Sequence, residues 1–391
     1  MKIEAVDFFY LAMPEVTTDA DGSQDALLVR VRAGGFEGFG ECEASPLASI
    51  AAFITPMSHG ACRPVAASVL GEQVDGPLDI ARMAARIEHD SMDLLQAAHT
   101  WSGIEMALWD LLGKARGEPV WRMLGYERAY PKTPYASLLF GAEPQQTLDL
   151  AREAVARGFR AVKFGWAEFG AGALESDVEH LSAAREGLGR DGLLLVDAGQ
   201  IWVEDVERAA LRLPSLNSFG AVWLEEPFLA SSFGAYGALA RRSGKVSIAG
   251  GEGAHSFQMA RNLIDYGGIG YVQIDCGRIG GIGPAKQVAD YAHERGVTFV
   301  NHTFTSHLAL AASLQPFAGL ESHRICEYPG APRALCVDMT SNHLYPNANG
   351  EILLPDAPGL GMDVNLSALG KYLVDVEIKI NGRTLYATPP V

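Results

Sequence analysis

The chain has 391 residues, of which 48% are hydrophobic and 20% charged, and its formal net charge is −16. This length and composition are typical of a globular protein with two domains, or of one barrel with additions. A surface this acidic repels phosphate groups, which argues against nucleic acid and anionic membranes as partners.

No stretch approaches the roughly 20 apolar residues of a membrane span. The N-terminal stretch MKIEAVDFFYLAMPEV lacks the apolar core of a signal peptide. The five cysteines include no C-x-x-C pair, which indicates free thiols in a reducing compartment. We therefore expect a cytoplasmic protein without a membrane partner.

The first part of the chain, to about residue 125, has mixed character. The stretches KIEAVDFFYLAM and DALLVRVRAGGFEGFGECEA predict strands, and the second predicts a hairpin that turns at Gly34 and Gly35. Between them, PEVTTDADGSQ is polar and predicts an exposed loop. The stretch GIEMALWDLLGKARGEPVWRMLG carries apolar residues at helical spacing and predicts a long helix that ends near its glycines.

From about residue 133, short apolar runs alternate with amphipathic helical stretches. The runs are PYASLL, AVKFG, LLLVDAG, AVWLEEP, VSIAGGE, YVQID, TFVNH and RICEYP. Near-continuous apolar strands separated by helices predict a parallel sheet that is buried on both faces. Eight such units in about 200 residues fit a (β/α)8 barrel. The alternative, an open doubly wound sheet, lacks the G-x-G-x-x-G of its dinucleotide-binding form.

Titratable residues stand at the ends of seven consecutive runs. In chain order they are Lys163, Asp197, Glu225 with Glu226, Glu252, Asp275, His302 and Glu327. Each alone has an ordinary explanation, because an acid after a strand often caps the next helix. Together, at one mouth of a barrel, the carboxylates would repel one another unless a cation neutralised them. A ligand set of carboxylate oxygens favours Mg²⁺ over zinc.

These motifs resemble those of the enolase superfamily, in its mandelate racemase subgroup. VDAGQ, WLEEP, AGGE, QIDCGRIGG and VNHTFTSH follow one another in the barrel, and PDAPGLGMDVN lies in the tail. The resemblance covers nearly the whole chain. It implies an α/β fold in which an N-terminal α+β capping domain (1–125) precedes a (β/α)8-type barrel (126–350). The C-terminal segment (351–391) would pack back toward the capping domain and complete it.

The resemblance also implies roles for the residues at the strand ends. Asp197, Glu225 and Glu252 would bind Mg²⁺, Asp275 and His302 would form a catalytic dyad, Lys163 would contact the substrate carboxylate, Glu327 would hydrogen-bond a substrate oxygen, and Glu226 would be a structural neighbour. These roles suit removal of a proton α to a carboxylate. The product of that step carries extra negative charge, which a metal and pre-organised donors stabilise.

Gly165 departs from the pattern of the subgroup, in which this strand usually ends Lys-x-Lys and the second lysine is a base on the face opposite the histidine. Lys163 matches the first lysine, and Gly165 occupies the second position. Racemisation ordinarily needs a base on each face. Elimination of water needs only one, since His302 can take the α-proton and then protonate the leaving hydroxyl.

We therefore expect an Mg²⁺-dependent acid-sugar dehydratase, a lyase that acts on a small-molecule carboxylate and forms a homo-oligomer. A racemase, epimerase or cycloisomerase and, third, a non-catalytic binding protein are the alternatives. The intact dyad argues against a binding protein.

Two stretches of the capping domain, TTDADGSQ and ASPLASIAAFITPMSHG, are expected to form the lid over the site.

Gly199 is a second departure from the family pattern, because it stands where the family commonly has an asparagine. Together with Gly165, it is expected to leave room for Trp166 or for a longer substrate. We expect Trp166 to pack, Arg278 to pin its loop, and His255 and His307 to be structural.

Overall fold

A computed structural model of the protein describes residues 1–43, 45–95, 97–167 and 169–391. The chain begins with an antiparallel sheet in the order β1-β2-β3. Its strands are β1 (Ile3–Ala12), β2 (Asp25–Ala33) and β3 (Phe36–Cys42). The predicted hairpin turn at Gly34 and Gly35 is confirmed, with Ala33 paired to Phe36 across it.

Helices cover this sheet and complete the capping domain. They are α1 (Pro46–Ile54), α2 (Pro77–Asp90), α3 (Ala97–Arg116) and α4 (Val120–Met123), with a 3-10 turn at Val65–Ser68. The predicted long helix is α3, and its residues from His99 to Gly113 are all buried. A helix buried on every side needs apolar or small residues around its whole circumference, which explains why the sequence of α3 is so apolar.

The predicted (β/α)8-type barrel is confirmed as a parallel sheet in the order β10-β9-β8-β7-β6-β5-β4-β11. Its strands are β4 (Thr133–Leu139), β5 (Ala161–Gly165), β6 (Leu193–Asp197), β7 (Ala221–Glu225), β8 (Ser247–Gly250), β9 (Tyr271–Asp275), β10 (Thr298–His302) and β11 (Ile325–Pro329). Its helices are α5 (Pro144–Ala156), α6 (Leu174–Leu188), α7 (Val206–Ala210), α8 (Leu213–Ser218), α9 (Phe233–Ala240), α10 (Phe257–Tyr266), α11 (Ile282–Glu294), α12 (His307–Leu314) and α13 (Ala334–Asp338), and a 3-10 turn spans Gln315–Phe317.

The barrel is nearly closed, with its two end strands, β10 and β11, beside each other. The Asn301 side chain joins them, because its Nδ2 donates to the Glu327 carbonyl (3.3 Å) and its Oδ1 accepts from the Glu327 amide (3.0 Å). A side-chain amide thus satisfies backbone groups that a regular ladder would pair.

The C-terminal segment contains α14 (Leu366–Leu369), a 3-10 turn at Gly370–Tyr372, and a hairpin of β12 (Glu377–Ile380) and β13 (Arg383–Ala387). This hairpin was not among the predicted elements, although Asn381-Gly382 between two apolar-polar runs is a recognised hairpin signal.

Contacts of the segment reach the first sheet. Val374 N donates to Tyr10 O, and Tyr386 Oη donates to Phe8 O, both at 2.8 Å. The boundaries at 125 and 350 stay a prediction.

Two expectations from composition can be compared with the structure. In the described parts of the chain, no helix combines the length and the apolar character that a membrane crossing requires. All five cysteines are free thiols, and four of them are buried.

Candidate active site

The site lies directly above the packed interior of the barrel. One interior layer consists of Tyr135, Ala161, Leu195, Trp223, Ala249 and Val300. Side chains of a strand alternate between its two faces, so the residue two positions later points to the same interior. Two positions after Ala161, Leu195, Trp223 and Val300 come Lys163, Asp197, Glu225 and His302. The strand pattern therefore carries these polar groups into one mouth of the barrel, as predicted.

The three predicted metal ligands form a compact group of carboxylates. Asp197, Glu225 and Glu252 each offer an oxygen, and these three oxygens all lie within 4.8 Å of one another. The Asp197 and Glu225 side chains are buried, and Glu252 is half-buried. Burial raises the pKa of Glu225 well above its ordinary range, against the opposing charge of Lys163, and burial also raises the pKa of Asp197.

This donor set fits Mg²⁺. The cluster presents only carboxylate oxygens, which are the ligands that a hard cation prefers. Crowding of buried carboxylates is costly unless positive charge neutralises them. A divalent cation held by Asp197, Glu225 and Glu252 would remove this cost, since the cations in direct contact with the three ligands in the described residues are only Lys163, Arg278 and, when protonated, His302.

Glu252 links the cluster to the pair of His302 and Asp275. Its Oε1 lies 3.1 Å from Arg278 Nη1, and its Oε2 lies 3.2 Å from His302 Nε2. Burial alone would raise the pKa of Glu252, but the charges of His302 and Arg278 outweigh it and hold that pKa at about 2. Glu252 is therefore ionised at neutral pH, as a metal ligand must be.

His302 and Asp275 lie as a catalytic dyad would require. His302 Nδ1 is 2.6 Å from Asp275 Oδ2, and Asp275 Oδ1 accepts from Gly277 N at 2.6 Å. Because a carboxylate only accepts, Nδ1 carries the proton, and Nε2 is the nitrogen that faces the cluster. Burial lowers the pKa of His302, but the carboxylates of Glu252, Glu327 and Asp275 raise it to about 10.

Lys163 and Glu327 contact each other below the mouth. Lys163 Nζ lies 3.0 Å from Glu327 Oε1, 2.7 Å from Glu225 Oε1 and 3.2 Å from Asp197 Oδ2. Burial would lower the pKa of Lys163, but these carboxylates raise it well above its ordinary value. The ammonium is therefore charged, and its 4% exposure excludes the alternative of a surface lysine that merely extends into water. Glu327 is fully buried, and its Oε2 accepts from Thr303 N at 2.7 Å.

A cavity of about 300 Å³ opens beside these groups. Lys163, Trp166, Asp197, Glu252, Arg278 and His302 line its barrel side. Its roof comes from the capping domain, where residues 19–22 of the predicted lid stretch TTDADGSQ line the cavity. A substrate in this cavity would touch the dyad, the cluster and the lid together.

The described part of the second predicted lid stretch, ASPLASIAAFITPMSHG, packs within the capping domain and does not line the cavity. Ala44 falls outside the described residues, and the stretch continues as α1, whose Ile50 and Phe53 are buried. The Phe53 ring packs at 4.9 Å from the Phe8 ring of β1. None of its described residues lines the cavity. Burial of its apolar face against the first sheet keeps α1 within the capping domain.

Gly165 has no space for a side chain. A Cβ at this position would lie 2.7 Å from Asp197 Cβ, closer than side chains normally approach. Gly199 is constrained in a similar way, since its φ is 53° and a Cβ there would lie 2.8 Å from Trp166 Cδ2. The Trp166 ring thus covers Gly199, is 42% exposed and lines the cavity. The room that the two glycines were expected to leave is taken by Asp197 and Trp166.

We expect Gly165→Ala to weaken Mg²⁺ binding about 10-fold, because Asp197 must move away from the added methyl group and metal affinity depends on ligand orientation. Isothermal titration calorimetry with Mg²⁺ measures this. Gly234→Ala is the matched control, since a Cβ at Gly234 has no neighbour within 4 Å. Equal Mg²⁺ affinity in Gly165→Ala and wild type would contradict the close packing of Gly165 on Asp197.

Sequence reasoning missed one contact between the two domains. Glu43, from the capping domain, lies with its Oε1 3.3 Å from Arg278 Nη2, and it also lines the cavity. Arg278 therefore bridges Glu43 and Glu252, which is more than the predicted pinning of a loop. Burial and the charge of Asp275 raise the pKa of Glu43 to about 7, although Arg278 lowers it. The only feature of the sequence that could have indicated this contact is the second acidic residue of GECEA, which is Glu43.

The other two histidines near strand ends lie outside this cavity. His255 pairs with His99 of α3, with Nδ1 and Nε2 3.1 Å apart. His307 Nδ1 accepts from Leu344 N at 3.2 Å. Neither lines the cavity described above.

Comparison with known proteins identifies the family. Residues 146–368 match the model of the enolase C-terminal domain-like family. Residues 11–125 match the N-terminal domain of mandelate racemase/muconate lactonizing enzyme. The chain belongs to the mandelate racemase/muconate lactonizing enzyme family of the enolase superfamily. The resemblance in the motifs is thereby confirmed.

Members of this family with related sequences include enzymes of acid-sugar metabolism. D-Galactarolactone cycloisomerase from Agrobacterium fabrum is 30% identical over 69% of this chain and 73% of its own length. Arabinonate dehydratase from Saccharolobus solfataricus is 27% identical over 69% of this chain and 71% of its own. The crystal structure of a predicted mandelate racemase from Rhodobacter sphaeroides is 63% identical, covers 100% of both chains and has a TM-score of 0.96.

Proposed function

We propose that the protein is an Mg²⁺-dependent dehydratase that removes water from an acid sugar to give a 2-keto-3-deoxy acid. One observation carries this proposal. A single His–Asp dyad faces the carboxylate cluster, and the position where a second base would stand is Gly165, which is closed by Asp197. Among the described residues the site thus has one His–Asp pair suited to acid–base chemistry, and it suits a reaction that needs one such group.

Asp197, Glu225 and Glu252 would hold the metal. When bound, Mg²⁺ supplies Lewis-acid stabilisation of the negative charge that develops on the substrate carboxylate. Lys163 adds a charged donor next to the same ligands, and its three carboxylate contacts hold it in place before the substrate arrives. A pre-organised donor of this kind acts without reorganisation during the reaction.

His302 would act twice. Nε2 would be unprotonated because a divalent cation at the cluster would offset the carboxylates that raise the pKa of His302. Nε2 accepts the proton from the carbon α to the carboxylate, and the pair of electrons left on that carbon forms the new double bond as the β-hydroxyl departs. The same Nε2 proton then passes to the departing oxygen, which leaves as water. Asp275 holds Nδ1–H throughout, which fixes the tautomer and stabilises the imidazolium. The enol that remains tautomerises to the 2-keto acid.

A cycloisomerase that acts on an acid-sugar lactone is the second candidate. The relative D-galactarolactone cycloisomerase, 30% identical, favours it. This reaction is also compatible with one acid–base group, so Gly165 does not separate the two candidates. A racemase fits less well, since proton return to the opposite face needs a group that Gly165 does not supply. A binding protein has no use for the dyad.

A panel of acid sugars and of their lactones tests the proposal. Each compound is incubated with enzyme and Mg²⁺, and 2-keto acid formation is followed by semicarbazone absorbance and by proton NMR. We expect at least one open-chain acid sugar to give a 2-keto-3-deoxy acid. Turnover of lactones alone would assign the cycloisomerase reaction, and epimerised acids without keto acid would contradict the one-base site.

A further inference from the structure

The catalytic cavity continues into a second, larger cavity. This second cavity has a volume of about 460 Å³, and it shares with the first the strand end Ser137–Leu139, the lid residues 19–21 and Phe304. It extends away from the dyad along α5 and the loop after β11, where Leu150 and residues 329–333 line it. A substrate with its carboxylate at the cluster would therefore place its far end here.

The walls of the second cavity are mostly apolar. Phe140, Leu150, Phe304 and Pro329 line it together with Leu138 and Leu139. A hydroxyl-rich chain needs hydrogen-bond partners when it leaves water, and each unpaired polar group costs free energy. Apolar walls therefore favour a substrate end that carries few hydroxyl groups.

Negatively charged side chains outnumber positively charged ones in the second cavity. Asp19, Asp21 and Arg333 are the charged residues among its described lining. Arg333 is already paired, with Nε 2.7 Å from Asp21 Oδ2 and Nη2 3.7 Å from Asp19 Oδ2. A second carboxylate on the substrate would meet two like charges and a guanidinium that is already paired with those two aspartates.

Arg333 also fixes the roof of this cavity. Its backbone N donates to Ser23 Oγ at 2.9 Å, and Cys336 Sγ donates to Ser23 O at 3.5 Å. Asp21 Oδ1 in turn accepts from Ser23 N at 2.9 Å. The lid is thus tied to the loop after β11, and the cavity is formed before a substrate enters.

We propose that the second cavity binds the end of the substrate remote from the reacting carboxylate and selects monocarboxylic acids with an uncharged end poor in hydroxyl groups, such as a terminal-deoxy sugar acid, over dicarboxylic acids. This inference rests on the proposed function, because it assumes an acid that binds through its carboxylate at the cluster. Asp19 is then a specificity-determining residue that disfavours a distal carboxylate.

Binding of matched acids tests the inference independently of turnover. D-galactonate, 6-deoxy-D-galactonate and galactarate share one configuration and differ at C6, and D-gluconate, 6-deoxy-D-gluconate and D-glucarate form a second series. Affinities are measured by isothermal titration calorimetry of the wild-type protein with Mg²⁺. We expect the deoxy acid to bind most tightly and the dicarboxylate about 5-fold more weakly than the matching aldonate, since the like charges are partly screened by water.

Asp19→Asn should change only the preference between monocarboxylic and dicarboxylic acids. We expect the ratio of dicarboxylate to aldonate affinity to rise about 3-fold, since one like charge is removed from a partly solvated site. Glu15→Gln is the matched control, because Glu15 is an exposed acid of the same loop region that does not line the cavity. We expect its ratio to equal that of the wild type.

The possible failures are distinguishable. Tighter binding of dicarboxylates in both series, or an unchanged ratio in Asp19→Asn, would overturn the inference and leave the proposed function standing. If neither aldonates nor aldarates bound in the presence of Mg²⁺, the acid-sugar assignment itself would fall, and the inference with it.

Discussion

His302→Asn is expected to lower kcat by about 10³-fold, within the range that loss of a general acid–base group costs. Asparagine cannot take up the α-proton or pass it to the leaving oxygen, and the structure offers no replacement at Gly165. The measurement is steady-state turnover on the best substrate of the panel, with Mg²⁺ saturating. His255→Asn is the control, because His255 is a strand-end histidine outside the catalytic cavity, and its kcat should stay close to wild type.

Asp275→Asn should also be severe, although His302 is intact in that variant. The asparagine amide can donate to Nδ1, which favours the tautomer that has its proton on Nε2 and cannot act as the base. Near-wild-type kcat in both His302→Asn and Asp275→Asn would show that the dyad is not the acid–base group.

Glu252→Gln is expected to weaken Mg²⁺ binding at least about 100-fold. Substitution of residues that only support the metal ligands typically weakens metal affinity by up to about 100-fold. Loss of a charged ligand should weaken metal affinity at least as much. Turnover should fall in parallel. In the wild-type protein, EDTA should abolish activity and added Mg²⁺ should restore it.

Glu226→Gln provides the control for charge and position. Glu226 follows a metal-ligand candidate directly, is buried, and accepts from Gln200 Nε2 at 2.6 Å. We expect this variant to keep its Mg²⁺ affinity, since its carboxylate lies outside the ligand cluster. Full turnover in the presence of chelator would contradict the three-carboxylate metal site. An equal decrease of Mg²⁺ affinity in Glu226→Gln and Glu252→Gln would contradict it as well.

Much of the barrel and its polar mouth could be predicted because strand periodicity is local. An apolar run such as LLLVD both forms a buried strand and, through its two-residue repeat, directs Asp197 to the face that Leu195 occupies. The same rule places Glu225 above Trp223 and His302 above Val300. The position of the polar cluster could therefore be predicted from sequence without knowledge of any distance.

The contacts between the capping domain and the barrel could not be predicted in this way. Glu43 and Arg278 are 235 positions apart, and their contact depends on how the two domains pack. For the same reason the sequence did not show that α1 stays against the first sheet, or that Asp21 pairs with Arg333. The closing of Gly165 by Asp197 likewise depends on the spacing of two neighbouring strands.

Exchange of the α-proton with solvent deuterium tests directly whether His302 alone removes that proton. Wild type and His302→Asn are incubated with substrate and Mg²⁺ in D2O, and the α-proton signal is followed by proton NMR. We expect His302→Asn neither to dehydrate the substrate nor to exchange its α-proton, because Gly165 stands where a second base would and no described residue replaces it there. Exchange in His302→Asn at a rate near that of wild type would show that a second base exists, and Lys163 would then be the first residue to suspect.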